Sequence, residues 1–298
     1  MNILAPIVLF VYSRPELTRF TVEALQRNHL AQESDLYIYS DAAKHSSIET
    51  QVAEVRKYIK SISGFHSITI IERKNNFGLS NSIISGVTEI IEKFERIIVL
   101  EDDLITSPFF LQYMNDALIY YTYDERVISI HGYVYPVKQQ LQSTFFLTGT
   151  DCWGWGTWNR GWKLFNPDGR YLLNALKKKN LAAAFDFDNS YKYTKMLKNQ
   201  IAGKIDSWAV RWHASAFIEE KLTLFPGISL VNNIGESDSA THTKSLQEFQ
   251  TSVAQEPISL GDIVIEENND ARLAFIQFFR SIRQSFFQKF YYKLKSIF

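Results

Sequence analysis

Arg96-Ile97-Ile98-Val99-Leu100-Glu101-Asp102-Asp103-Leu104 sets an apolar run directly against three consecutive carboxylates. The β-branched run reads as a buried parallel strand. Three adjacent acids cannot sit in a core without counter-charge, so the strand ends where they begin. In open α/β sheets that carboxyl edge is where ligands bind. Carboxylates clustered there suit a hard divalent cation, and such a cation commonly carries substrate phosphates. An acidic, solvated strand end is the plainer reading of the same letters. A second charged group, Arg14 in Ser13-Arg14-Pro15, follows another apolar run. An arginine at a strand's end is free to fork onto a phosphate. The alternative is a turn and helix start, since proline suits the first helical position.

Alternating elements position these groups. Ile7 to Tyr12, Asp35 to Asp41, Ser67 to Glu72 and Ile97 to Leu100 read as strands. Between them, Glu16 to Asn28, Ser47 to Ser61 and Leu79 to Phe94 show helical spacing of apolar residues. Strand and helix in alternation predict βαβ units and a parallel sheet with helices on both faces. Pro108 to Asp124 reads as a further helix, Val127 to Ile130 as a strand, Leu172 to Asn199 as mixed and helical, and Leu222 to Pro226 as extended. Gly149-Thr150-Asp151-Cys152-Trp153-Gly154-Trp155-Gly156-Thr157-Trp158 is too rich in glycine for a regular helix. Ser229 to Thr243 reads as a polar loop.

At 298 residues the chain builds one large domain or two small ones. Formal net charge is zero, so nothing global points to nucleic acid. Cys152 is the single cysteine, which rules out an internal disulfide and fits a reducing cytoplasm. The amino terminus lacks a basic stretch, and no segment reaches the roughly 18 apolar residues of a spanning helix.

Val99-Leu100-Glu101-Asp102-Asp103-Leu104 followed by Ser107-Pro108-Phe109-Phe110 resembles the Glu-Asp-Asp variant of the Asp-X-Asp motif in nucleotide-sugar glycosyltransferases of the GT-A fold. The resemblance is to the branch of N-acetylglucosaminyltransferase I and related bacterial polysaccharide enzymes. It runs from about Pro6 to His242, through three further blocks in the family's order: Val11-Tyr12-Ser13-Arg14, Tyr39-Ser40-Asp41, and Arg73 to Ser82 with its Asn-Phe-Gly-Leu. The glycine-tryptophan stretch makes another. What the resemblance implies is a Rossmann-like α/β fold, with a mostly parallel central sheet flanked by helices. Residues 1–130 would form the nucleotide-binding half and 131–270 the acceptor and catalytic half. The activity implied is metal-dependent, inverting transfer from a UDP-sugar to a saccharide or lipid-linked acceptor, in bacterial surface polysaccharide or glycolipid synthesis. Arg14 would contact base or phosphates and Asp41 the uracil imide. Asn76, Gly78 and Ser80 would lie beside the nucleotide-sugar. Glu101 and Asp102 would hold donor hydroxyls, and Trp155 would stack on a sugar. Asp103, with His242, would hold Mn²⁺ or Mg²⁺. The base is an aspartate before a tryptophan, matched by Asp206 in Asp206-Ser207-Trp208, although the family's second aspartate is missing. A helix cap is the other reading of Asp206, and Glu236 and Asp238 are reserves.

Residues 271–298 lie outside the resemblance. They carry Arg272, Arg280, Arg283, Lys289, Lys293 and Lys295 among many aromatic residues, with no acid. A basic, aromatic, amphipathic helix suits an anionic membrane surface, which would make the protein cytoplasmic and peripheral on the inner face. A terminal helix docked on its own domain is the alternative. Two other functions fit the same blocks less well. A sugar nucleotidyltransferase would usually show a glycine-rich loop after the first strand, which Ser13-Arg14-Pro15 lacks. A non-catalytic module would have no need of both the acid triplet and Asp206.

Overall fold

The computed structural model describes residues 4–235 and 247–295, with side chains of the last helix described to Arg283. Strand and helix alternate as the periodicity predicts: β1 (Ile7–Val11), α1 (Pro15–Gln26), β2 (Asp35–Ser40), α2 (Glu49–Ile59), β3 (Ser67–Glu72), α3 (Leu79–Phe94) and β4 (Arg96–Glu101). There follow β5 (Leu104–Thr106), α4 (Phe110–Tyr120), β6 (Val127–His131), β7 (Thr144–Thr148) and β8 (Trp155–Trp158). Short helices come next: α5 (Asn159–Trp162), α6 (Gly169–Lys178), α7 (Ala182–Phe185), α8 (Tyr193–Ile201) and α9 (Ala209–Ile218). The chain closes with β9 (Leu222–Pro226), β10 (Val231–Asn233) and α10 (Asn269–Lys295).

Eight strands form one sheet in the order β3-β2-β1-β4-β8-β6-β9-β7, while β5 and β10 pair separately. The fold is therefore α/β with a mostly parallel sheet, as expected. Only β7 and β8 oppose the common direction. Side chains of a strand alternate between faces, and β1 shows both being buried. Ile7 and Leu9 pack with Val22 and Leu25 of α1 and Val55 and Ile59 of α2. Val8 and Phe10 pack on the other face with Ile83, Val87 and Ile90 of α3. Burial on both sides explains why β1 reads as an unbroken apolar run.

Several regions differ from the sequence reading. Val231–Asn233, read as part of a polar loop, forms β10 and pairs antiparallel with β5, itself not expected as a strand. The glycine-tryptophan stretch is only partly irregular. Trp155 to Trp158 form β8, which lies antiparallel between β4 and β6, with Gly156 opposite Ile98 and Ile130. β7 has no counterpart among the expected strands; it pairs with β9 in full register from Thr144 against Pro226 to Thr148 against Leu222. The basic tail begins inside the core. Ala271, Ala274, Phe275, Ile276 and Phe279 are buried, and Phe275 meets Tyr135, Phe145, Phe187 and Phe225. At least as far as Phe279, the docked-helix alternative describes α10.

Gly149 sits where the chain leaves β7, at φ +92°. A Cβ there would lie 2.4 Å from His213 Cε1, inside a packed wall. Gly149→Ala should lose about 2–4 kcal/mol of stability, from left-handed strain plus overpacking. Gly203, at φ +67° with open space around it, should lose only about 1 kcal/mol as alanine. Urea midpoints of the two variants against wild type check the difference.

Candidate active site

Because β1, β2, β3 and β4 are parallel, their carboxyl ends share one edge. Arg14, just after β1, forks across the acids just after β4. Its guanidinium donates to Asp103 Oδ2 at 2.8 Å and to Asp102 Oδ1. The Tyr12 amide also donates to Asp102 Oδ2 at 3.3 Å. Asp102 is 2% exposed, so the arginine supplies the counter-charge that its burial demands. Burial raises the Asp102 carboxyl above its ordinary range, against the pull of Arg14. Burial first, with Asp103 and Asp102 adding repulsion, pushes Glu101 up to about 8.

After β2, Asp41 holds the Arg73-to-Gly78 loop. Its carboxylate accepts from the amides of Ala42, Phe77 and Gly78 at 2.9 Å and from Asn76 Nδ2 at 3.0 Å. Asn76 spends its second amide proton on the Ala42 carbonyl at 2.7 Å. Asp41 and Asn76 thus clamp the loop that sets up α3. Phe77 stays exposed at its tip, beneath the Arg73 guanidinium at 4.3 Å.

Asp206 comes from the far half of the chain to the start of α3. Its Oδ2 accepts from the Ser80 amide at 3.4 Å and faces Gly78. The cap of α9 is instead Ser207, whose hydroxyl accepts from the Val210 amide at 3.3 Å. Arg211, buried and given no role of its own by the sequence reading, ties this corner together. It donates to the Ser80 hydroxyl, to the Ser207 carbonyl at 3.2 Å and to the Pro167 carbonyl at 3.2 Å. Ser80 is therefore buried and partnered within the protein.

Beside these groups lies a cavity of about 210 Å³ that brings Glu101, Asp151 and Asp206 to one space. Its walls are largely aromatic, from Tyr135, Trp153, Tyr191, Tyr193 and Trp208 among others. Trp155 is not among them, which corrects its expected role. It is fully buried in β8, packed on Trp208 at 5.4 Å, Trp162 at 5.8 Å and Trp212 at 6.0 Å. The β8 pairing turns its ring into the core, and Trp153, in the loop before, is the tryptophan of that stretch that reaches the cavity. The tyrosines carried no sequence signal, because Tyr135 and Tyr191 come from loops and Tyr193 from the first turn of α8, none of them within a motif. Asp151 had only its glycine-rich setting.

The carboxylates at the strand edge are all-oxygen donors, which fit Mg²⁺ or Mn²⁺ with phosphate and water completing the shell. Gly235 leaves room there, since a Cβ would lie 2.6 Å from Asp103 Oδ2. His242, Glu236 and Asp238 lie outside the described residues. Among the described residues, no cluster of three or more His, Cys, Asp or Glu is placed to hold a metal by protein ligands alone.

His213 lines the cavity wall, its Nδ1 accepting from the Thr150 amide at 3.1 Å. Burial lowers its imidazole to about 4, against the opposing charge of Asp151. Above the unfolded value of about 6.5 both states are neutral; below it only the unfolded imidazole takes a proton. Stability should therefore fall as pH drops from about 6.5 towards 4. In His213→Asn, whose amide oxygen can still accept from Thr150, that decline should be shallower in melting curves taken across the window.

No protein-family model matches the chain, and no curated protein matches it either. Among solved structures it is similar to the mannosyltransferase PcManGT from Pyrobaculum calidifontis in complex with GDP-Man and Mn²⁺. Identity is 12% and the TM-score 0.34, over 45% of this chain and 37% of that one. TarS from S. aureus gives 12% and 0.31, over 49% and 41%. A UDP-glucose pyrophosphorylase complexed with UDP-glucose gives 11% and 0.40, over 79% and 95%. The chain spans less than half the length of the first two. At such identities and scores these likenesses decide nothing about its chemistry, which rests on its own residues.

Proposed function

We propose that the protein is a metal-dependent, inverting glycosyltransferase of the GT-A kind, moving a sugar from a UDP-sugar to a saccharide or lipid-linked acceptor. The observation that carries this reading is the meeting of Glu101 and Asp206, distant in sequence, in one aromatic-walled cavity. That cavity adjoins the Arg14, Asp102 and Asp103 cluster at the carboxyl edge. Inverting transfer needs a base at the acceptor hydroxyl and positive charge at the departing diphosphate. Asp206 is the base: it is exposed, lines the cavity and is held at the start of α3 by the Ser80 amide. Arg14 is the fixed cation at the diphosphate, and Glu101 and Asp102 hold donor hydroxyls. Asp103 would hold Mn²⁺ or Mg²⁺, which would neutralise charge on the leaving diphosphate. The aromatic walls keep bulk water from the reacting carbon.

UDP with Mn²⁺ at about 100 times its Kd should raise the melting temperature by roughly 5 °C. Asp103→Ala should lose most of that shift. Asp206→Asn, which keeps the contact to the Ser80 amide, should retain it while transfer falls at least about 100-fold. Absence of a shift with any nucleotide and divalent metal would sink the donor assignment. Release of UTP from UDP-glucose and pyrophosphate would replace it by nucleotidyl transfer.

For the acceptor we propose a lipid-linked saccharide at an anionic membrane, reached through the end of α10. The support is in the sequence: residues 284–298 hold Lys289, Lys293 and Lys295 among six aromatic residues, with no acid. Among the described residues no helix is long and apolar enough to cross a membrane. Deleting 284–298 spares the buried root of α10 and removes three lysines, worth about 1 kcal/mol each near an anionic surface. Partitioning onto phosphatidylserine vesicles should drop by about two orders of magnitude. Equal flotation of the two forms would reject the membrane role.

A further inference from the structure

The carboxylates that line the cavity come from different elements. Glu101 and Asp206 belong to the strand edge and the start of α3, where the donor chemistry has been placed. Asp151 belongs to the loop end that enters β8, and neither the acid cluster nor the base uses it. Its Oδ2 accepts from the Tyr135 hydroxyl at 2.9 Å, and its Oδ1 from the Cys152 amide at 2.8 Å. Each carboxylate oxygen can accept twice, so both retain a free acceptor position.

The surroundings of Asp151 are aromatic and held from behind. Tyr135 OH lies 3.5 Å from Tyr193 OH, and the Tyr191 and Tyr193 rings meet at 4.5 Å. Trp153 packs on Tyr133 at 4.7 Å and on Phe249 at 6.1 Å. The Tyr135 ring is braced by Phe275 and Phe279 of α10 at 4.8 and 4.9 Å. Thr150 also lines this end, and its buried hydroxyl has no hydrogen-bond partner among the described residues. A rigid carboxylate with two free acceptor positions, set among flat aromatic faces, suits a ring that bears neighbouring hydroxyls on an apolar face.

Charge narrows the class. Glu101, Asp151 and Asp206 line the cavity, and among the described residues no lysine or arginine does. Glu101, pushed up to about 8, is a neutral acid near pH 7, so an anionic sugar would meet the carboxylates of Asp151 and Asp206 with no lysine or arginine among the described lining residues, at the cost of like-charge repulsion and desolvation.

We propose that Asp151, with Tyr135, Trp153, Tyr191 and Tyr193, forms the subsite for the acceptor's reacting sugar, and that this sugar is an uncharged pyranose. Uronates and sugar phosphates are rejected. The assignment to the acceptor rests on the transfer reading above; the sugar subsite itself does not, because it can be tested without turnover. The carboxylate takes a pair of hydroxyls, the rings cover the apolar face, and Asp206 faces the same space to receive a proton.

Saturation-transfer NMR on the full chain with UDP and Mg²⁺ tests it. The probes are the methyl pyranosides of glucose, galactose and N-acetylglucosamine, with methyl glucuronide and glucose 6-phosphate as anionic counterparts. At least one neutral pyranoside should bind and both anions should not. Asp151→Asn keeps an oxygen for the Tyr135 hydroxyl but halves the acceptor set, and should weaken that binding about tenfold or more. Trp153→Leu, which removes a ring face while keeping bulk, should weaken it as well. The melting temperature without ligand serves as the check that both variants fold. Binding of the anions as tightly as the neutral sugars would overturn the charge argument. Neutral binding unchanged in Asp151→Asn, or no neutral pyranoside bound at tens of millimolar, would overturn the subsite. If UDP gives no melting shift but the pyranosides behave as stated, the subsite stands and the donor reading falls.

Discussion

Three carboxylates in a row at the end of a buried strand are unstable company unless something neutralises them, and Arg14 does so for two. This one ion cluster sets conditions on everything near it. Arg14 must lie at the end of a neighbouring strand, so β1 and β4 must be parallel and adjacent, as they are. The acids must lie where solvent and ligand still reach, which puts them at the carboxyl edge rather than in the sheet. Asp102 is nearly sealed while Asp103 and Glu101 stay partly open. Adjacent acids in unequal surroundings can therefore carry unequal duties.

The opposite side of the site is built by a different kind of interaction. Asp206 reaches α3 only because Arg211 ties Ser80, Ser207 and Pro167 into one corner. The corner rests on a cluster of tryptophans in tilted and edge-on contact, with Trp208 on the cavity wall and Trp155, Trp162 and Trp212 behind it. Trp155 can serve there because β8 is inserted antiparallel between β4 and β6. The same insertion carries Asp151 and Trp153, in the loop before it, to the cavity. A single change of strand direction thus separates a structural tryptophan from a cavity-lining one two residues earlier. It also explains why α10 matters to the site: its buried root braces Tyr135, which holds Asp151.

The sequence by itself determined the βαβ half of the molecule. Its signals are local: β-branched runs, 3.6-residue periodicity, Pro15 at a helix start and acids at a strand end. Local signals suffice where each element buries its own stripe against the next, and the ranges of β3, α3 and β9 follow from them without change. They also sufficed to single out Arg14 and the acids Glu101, Asp102 and Asp103, whereas Asp206 was reached only through the family resemblance. What only the tertiary structure decided is which partners such groups meet. The Asp41 carboxylate caps a loop, Ser80 is taken by Arg211, and the apolar stripe of α10 from Ala271 to Phe279 is core. Pairing of β8, the clustering of four tryptophans and the gathering of Tyr135, Tyr191 and Tyr193 around Asp151 depend on contacts between residues far apart in the chain. Such contacts leave no period and no spacing in the letters, because packing selects them by shape and burial after the local elements have formed.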